Sequence, residues 1–221
     1  AAINEHAGEW NVDSERIAVC GFSAGGNNAA LFATRWHEPW LAETVGVASP
    51  EELRPAAAVL GYLVADECFE PEDAAGEATE CAWGERAGSA GTEGSSRPRS
   101  TDEVRATMST VLFGSPELAA EQAALVQPAR HVSALTPPTF LWGTAADPLI
   151  ASENTLRMGL ALARAGVPYE LHMFEQGGHG LSLATQETAR APRHMRADVA
   201  AWVPLAENWL EKRFLLALAE A

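Results

Sequence analysis

Basic residues are in short supply in this chain: 15 Lys and Arg stand against 30 Asp and Glu, a formal net charge of −15. A surface that acidic repels phosphate backbones and anionic lipid, which argues against nucleic-acid and membrane-surface partners. Cysteine is scarcer still. Cys20, Cys68 and Cys81 are odd in number and unclustered, so neither a disulfide framework nor a zinc site is expected; Cys68 and Cys81 read as unrelated thiols rather than a pair. No apolar run approaches the roughly 18 residues of a membrane span. The opening Ala1-Ala2-Ile3-Asn4-Glu5 lacks the basic flank and apolar core of a signal peptide. What is present is ordinary for a globular chain: 221 residues, 47% hydrophobic and 20% charged, a length that predicts one domain.

Hydrophobic patterning predicts alternating strands and helices. Ile3, His6, Ala7 and Trp10 recur at helical spacing, and Asn11 to Ser14 reads as the turn that ends this helix. Arg16 to Gly21, Ala56 to Leu63, Pro138 to Gly143 and Val167 to Phe174 are short, nearly continuous apolar runs, the pattern of strands buried on both faces. Helices are expected from Ser23 to about His37, from Ser115-Pro116-Glu117 to about Val126, and from a Ser152 cap to a stop at Gly166. A last helix is expected over 196–218, kinked or divided at Pro204. Such alternation implies a mostly parallel sheet with helices on both faces. Residues 64–106 break the pattern. Seven acids and no base lie between Ala65 and Glu80, and a Gly- and Ser-rich stretch follows. This composition reads as an insertion, either a lid or a solvated loop.

Three positions carry chemistry. Gly21-Phe22-Ser23-Ala24-Gly25 matches G-x-S-x-G. The pattern is weak alone, but here it joins a buried strand directly to a helix, the setting of a nucleophile elbow. Small residues at Gly21, Ala24, Gly25 and Gly26 suit so tight a turn. The following helix N-terminus aims backbone N–H groups at a developing oxyanion. A serine hydroxyl needs a base, and the base an orienting acid. Asp147 follows the third strand run, with Asp66, past the second, as the alternative acid. His179 lies in Gly177-Gly178-His179-Gly180 just past the fourth. His6, His37, His131, His172 and His194 are read as surface or core residues, and no histidine pair has zinc-ligand spacing.

Together these residues resemble the α/β-hydrolase superfamily, and within it the acetyl-xylan and carbohydrate acetyl esterases. The likeness rests on Asp13 to Gly26, on Pro137 to Trp142 leading to Asp147, on Glu153-Asn154, and on Ala165 to His172 continuing to Gly180. The resemblance implies an α/β-hydrolase fold with Ser23 as nucleophile, Asp147 as acid and His179 as base. It implies the Ala24 N–H as one oxyanion donor, no metal or organic cofactor, and a small ester such as an acetylated carbohydrate as substrate. Relatives often carry a histidine where this chain has Asn27 and Asn28.

Such a fold places its nucleophile after the fifth strand, yet only fifteen residues precede Arg16, while one βαβ unit needs about 30. The first strands and the second oxyanion donor are therefore expected to lie outside this chain. Strand 16–21 is then expected at a sheet edge, open to pairing with another chain, with Ser23 unusually exposed. A serine peptidase of the same superfamily and a catalytically incomplete fragment stay open as alternatives.

Overall fold

The four apolar runs become four parallel strands: β1 (Ala18–Phe22), β2 (Ala57–Gly61), β3 (Thr139–Thr144) and β4 (Tyr169–Phe174). The structure, a computed structural model, describes residues 2–65, 110, 114–115 and 120–215. Asp66, Cys68, Cys81, nearly all of the expected insertion and residues 116–119 lie outside the described residues. The helices are α1 (Ala2–Trp10), α2 (Ala24–Arg35), α3 (Pro39–Val45), α4 (Ala120–Leu125), α5 (Glu153–Arg164), α6 (Ala197–Ala200) and α7 (Trp202–Arg213).

The sheet runs in the order β1-β2-β3-β4. Each crossover therefore steps one strand in the same direction, and right-handed crossovers put their helices on a common face. Accordingly α2 and α5 cover one face: Ala29, Ala30 and Ala33 pack with Met158 and Leu162 over Ala58, Leu60 and Leu141. The opposite face belongs to α7, where Trp202, Ala206 and Trp209 meet Ala57, Val59, Phe140 and Trp142. Period-2 alternation along β2 and β3 divides one apolar run between two cores, so both strands read as continuous hydrophobic sequence and are wholly buried.

Three local expectations are corrected. β1 is only partly buried, with Cys20 exposed, because it has one strand neighbour and forms an edge of the described sheet. Ser152 occupies the cap position of α5 but already has helical angles, φ −59 and ψ −23, and its side chain caps nothing. Gly166, at φ +68, does adopt the left-handed conformation that a helix stop requires. The last helix breaks at Ala201 rather than at Pro204. Pro204 sits in the first turn of α7, where a missing N–H deprives no intrahelical acceptor. One helix was not anticipated: α3 begins at Pro39 and ends at Gly46, φ +77, both of them ordinary boundary signals.

Candidate active site

β1 ends at Phe22 and α2 begins at Ala24, so one residue makes the whole turn. Ser23 takes φ 54 and ψ −124, a conformation that costs a residue with a side chain on the order of 1–3 kcal/mol. Two backbone bonds hold it: the Ser23 N–H donates to Gly61 O at 3.1 Å, and Ser23 O accepts from Asn27 N–H at 3.0 Å.

The glycines around it have different reasons. A Cβ at Gly21 would lie 2.2 Å from the carbonyl oxygen of Gly25, and one at Gly26 would lie 2.9 Å from the Leu63 Cβ. At Gly25 a Cβ would meet nothing within 4 Å. The steric demand therefore falls on Gly21 and Gly26, whereas the sequence pattern points to Gly21 and Gly25. Ala24, as the first residue of α2, has an N–H with no carbonyl one turn earlier to receive it.

The loop after β4 brings His179 over this turn. Gly177 takes φ +147 and packs so closely on Thr144 that a Cβ would lie 2.7 Å from the threonine methyl. Thr144 Oγ1 also donates to Gly177 O at 3.0 Å. So tethered, the loop sets His179 Nε2 at 2.7 Å from Ser23 Oγ and His179 Nδ1 at 2.8 Å from Asp147 Oδ2. The other oxygen of Asp147 accepts the N–H groups of Leu149 at 2.8 Å and Ile150 at 3.0 Å. The Asp147 side chain is 2% exposed and that of His179 17%. A carboxylate fixed by two backbone donors faces Nδ1, so the neutral ring carries its proton there, and Nε2 is the lone-pair nitrogen facing the serine hydroxyl. Ser23 is half-buried rather than unusually open, since His179 lies against its oxygen.

Tyr62 escapes the sequence reading. It follows β2 with φ +36, and its N–H donates to Trp142 O at 2.7 Å. The Tyr62 ring stands edge-on to the His179 imidazole, with centroids 5.1 Å apart and planes at 78°. Its hydroxyl accepts the Ser182 N–H at 3.1 Å. Burial pushes the Tyr62 phenol above its usual value, so it stays protonated. Phe22, Trp142 and Trp202 complete an aromatic floor, the two tryptophans stacked with centroids 5.1 Å apart. The available signal was the position: an aromatic residue directly at a strand exit, Gly61-Tyr62. Beside His179 lies a cleft of about 500 Å³, bounded by Ala146, Pro148, Gln176 to Gly178, and the segment containing Arg193, His194 and Arg196.

The sequence pattern of a family described as alpha/beta hydrolase fold matches residues 1–183. The chain belongs to that family. A carboxylesterase from Lactobacillus plantarum superimposes with a TM-score of 0.69 at 26% identity, covering 99% of this chain and 66% of the other. An acetyl ester-xyloside bifunctional hydrolase from Caldicellulosiruptor lactoaceticus gives 0.66 at 28% identity, with 98% and 63% covered. Among curated proteins, endo-1,4-beta-xylanase B of Butyrivibrio fibrisolvens is 25% identical over 190 residues, 84% of this chain. The chain spans 24% of that xylanase and somewhat under two thirds of the two solved hydrolases.

Within this α/β hydrolase, Asn27 ties two segments together. Its side-chain amide donates to Val64 O at 2.8 Å and Val126 O at 2.9 Å. The remaining histidines lie apart from Ser23. His172 Nε2 pairs with Glu170 at 2.8 Å inside β4, His131 Nε2 meets Ala124 O at 2.9 Å, and His6 pairs with Glu9 at 3.1 Å on exposed α1. His194 alone shares the cleft with His179.

Proposed function

We propose that the protein is a carboxylic ester hydrolase working through an acyl-enzyme on Ser23, with acetyl esters of carbohydrates as its substrate class. The carrying observation is the unbroken hydrogen-bond chain from Ser23 Oγ through His179 to Asp147, set on a strained one-residue turn. Ser23 Oγ attacks the acyl carbon while its proton passes to His179 Nε2. Asp147 stabilises the imidazolium and keeps the Nδ1 proton in place. The Ala24 N–H, at the start of α2, is the donor offered to the carbonyl oxygen as it gains its negative charge. Collapse of the tetrahedral intermediate breaks the ester C–O bond, and the imidazolium returns its proton to the departing alcohol. Water, deprotonated by His179, then attacks the acyl-serine and releases the acid. The carbohydrate preference draws on the acetyl ester-xyloside hydrolase and the xylanase among the similar proteins.

The test pairs labelling with turnover. A fluorophosphonate probe is expected to modify Ser23, and p-nitrophenyl acetate to be hydrolysed faster than an aminoacyl-nitroanilide. Ser23→Ala is expected to lose roughly 10⁴–10⁶ in kcat with its circular dichroism unchanged. Faster anilide cleavage would make the protein a peptidase; ester hydrolysis undiminished in Ser23→Ala would remove Ser23 from the chemistry.

A further inference from the structure

Cations are rare in this chain, yet they gather beside the site. Arg190, Arg193, His194 and Arg196 fall within seven residues, with no acid between Glu187 and Asp198. The segment is anchored where it stands. The Arg196 N–H donates to Ala184 O at 2.8 Å, Trp202 Nε1 donates to Ser182 O at 2.9 Å, and the Arg190 N–H donates to His194 Nδ1 at 3.3 Å. Residues 182–184 directly continue the His179 loop, so the basic segment and the imidazole share one support.

The cations are not equivalent. Arg196 is engaged by Asp198 through two bonds, 3.0 and 2.7 Å, and its charge is largely spent. Arg193 lines the cleft and has no ion pair among the described residues. The rest of the lining includes Gln176, Gly177 and Gly178 and no acidic residue; the Gln176 amide donates to the neighbouring Glu175 carboxylate at 3.3 Å. In a molecule with twice as many acids as bases, a cleft wall with a free guanidinium and no acid selects for negative charge. Its position selects for one half of the ester. The cleft is bounded by His179 and by the neighbours of Asp147, not by Ser23, so a group held there lies beside the imidazole rather than around the serine; of the two halves of the ester, the departing alcohol is the one that must come next to that imidazole to take its proton.

We infer that this cleft binds an anionic group, a carboxylate above all, carried on the alcohol half of the ester, with Arg193 as the residue that determines this specificity. The inference rests on the ester-hydrolase reading of Ser23, His179 and Asp147. A carboxylate matches the planar fork of a guanidinium in a way a neutral hydroxyl does not. The ligand class is therefore a sugar acid acetylated close to its carboxylate. Because Arg193 is exposed, the gain is modest, about three- to tenfold, and shrinks as salt screens it.

The experiment compares kcat/KM for acetylated methyl glucuronide and acetylated methyl glucoside. The glucuronide is expected to be preferred about three- to tenfold at low salt, with the preference lost in Arg193→Gln, weakened in Arg193→Lys and reversed in Arg193→Glu. Equal use of both esters, or an Arg193→Gln loss shared equally by both, overturns the inference while leaving the hydrolase intact. A preference for p-nitrophenyl succinate over p-nitrophenyl acetate instead places the anion on the acyl side and overturns the assignment to the alcohol.

Binding supplies a readout independent of turnover. Titration with unacetylated methyl glucuronide is expected to shift the Gly177 and Gly178 amide resonances saturably, methyl glucoside is not, and Arg193→Gln is expected to abolish the response. A saturable response present with neither esterase turnover nor serine labelling would sink the hydrolase reading alone; no response, or the same one to both sugars, sinks the anion cleft.

Discussion

At the residue scale, Asp147 illustrates how one side chain is committed from several directions. Two backbone N–H groups fix one oxygen and leave the other for His179. Asp147→Asn retains an acceptor for Leu149 and Ile150, so folding is expected to survive. Its amide NH₂, however, turns a donor toward Nδ1 and favours the tautomer with the proton on Nε2, which cannot receive one from Ser23. A fall in kcat of about 10³–10⁴-fold with little change in thermal midpoint is the expected result, measured on p-nitrophenyl acetate. Glu38 shows a carboxylate used for structure. Arg35 grips it with bonds of 2.6 and 2.9 Å. That hydrogen bonding, with help from Trp40 and against partial desolvation, lowers its pKa from 4.5 to about 2. A depressed carboxylate stabilises the fold above its unfolded value and loses that contribution as pH falls through the folded one. The stability difference between the protein and Glu38→Gln should thus be constant from neutral pH to about 5 and vanish toward pH 2. Both side chains are partly solvated, 18% and 27% exposed, so the difference is expected to stay below about 1 kcal/mol in urea titrations.

At the element scale, the strand-to-helix turn separates glycines that look alike in sequence. Gly21→Ala pushes a methyl into the Gly25 carbonyl and is expected to cost at least about 2 kcal/mol, since neither backbone can move away. Gly25→Ala meets open space within a helix and is expected to stabilise by about 0.5–1 kcal/mol. Chemical denaturation of the two variants decides the matter, and opposite signs are the expected outcome.

The same turn shows what patterning can disclose. The strands were legible because β2 and β3 must satisfy two cores at once, which leaves an unbroken apolar run. α3 was not, because its seven residues are too few to show a period and only Ala42 is buried. Ser152 misled because a residue suited to capping is read from its type, while its angles are set by the preceding turn. The hydroxyl and ring contacts of Tyr62 were out of reach for a related reason: they join β2 to a loop 120 residues further along the chain, and nothing local encodes them.

At the scale of the whole molecule, four groups of the candidate site follow the carboxyl ends of the four parallel strands: Ser23 after β1, Tyr62 after β2, Asp147 after β3 and His179 after β4. Chain order and strand exits therefore made the first, third and fourth positions readable, because such sheets place their crevice there. The fold's asymmetry has a measurable side. β1 has one strand neighbour in the described sheet, whereas β2 and β3 have two. Its amides are expected to exchange with solvent deuterium well before those of β2 and β3, and mass spectrometry of peptides spanning 16–23 and 56–63 measures this. Protection appearing in the first peptide alone as concentration rises would report recruitment of a strand from another chain.

The bond between Ser23 and His179 spans 156 positions of sequence, and this separation sets an order of events when the protein is made. A ribosome releases the serine 156 positions before the histidine. Until β4 has emerged and docked on β3, Ser23 lacks the His179 partner that the proposed chemistry requires and remains an ordinary hydroxyl. On the proposed mechanism the nascent chain is thus chemically silent over that interval, and a reactive nucleophile first exists once all four described strands have formed.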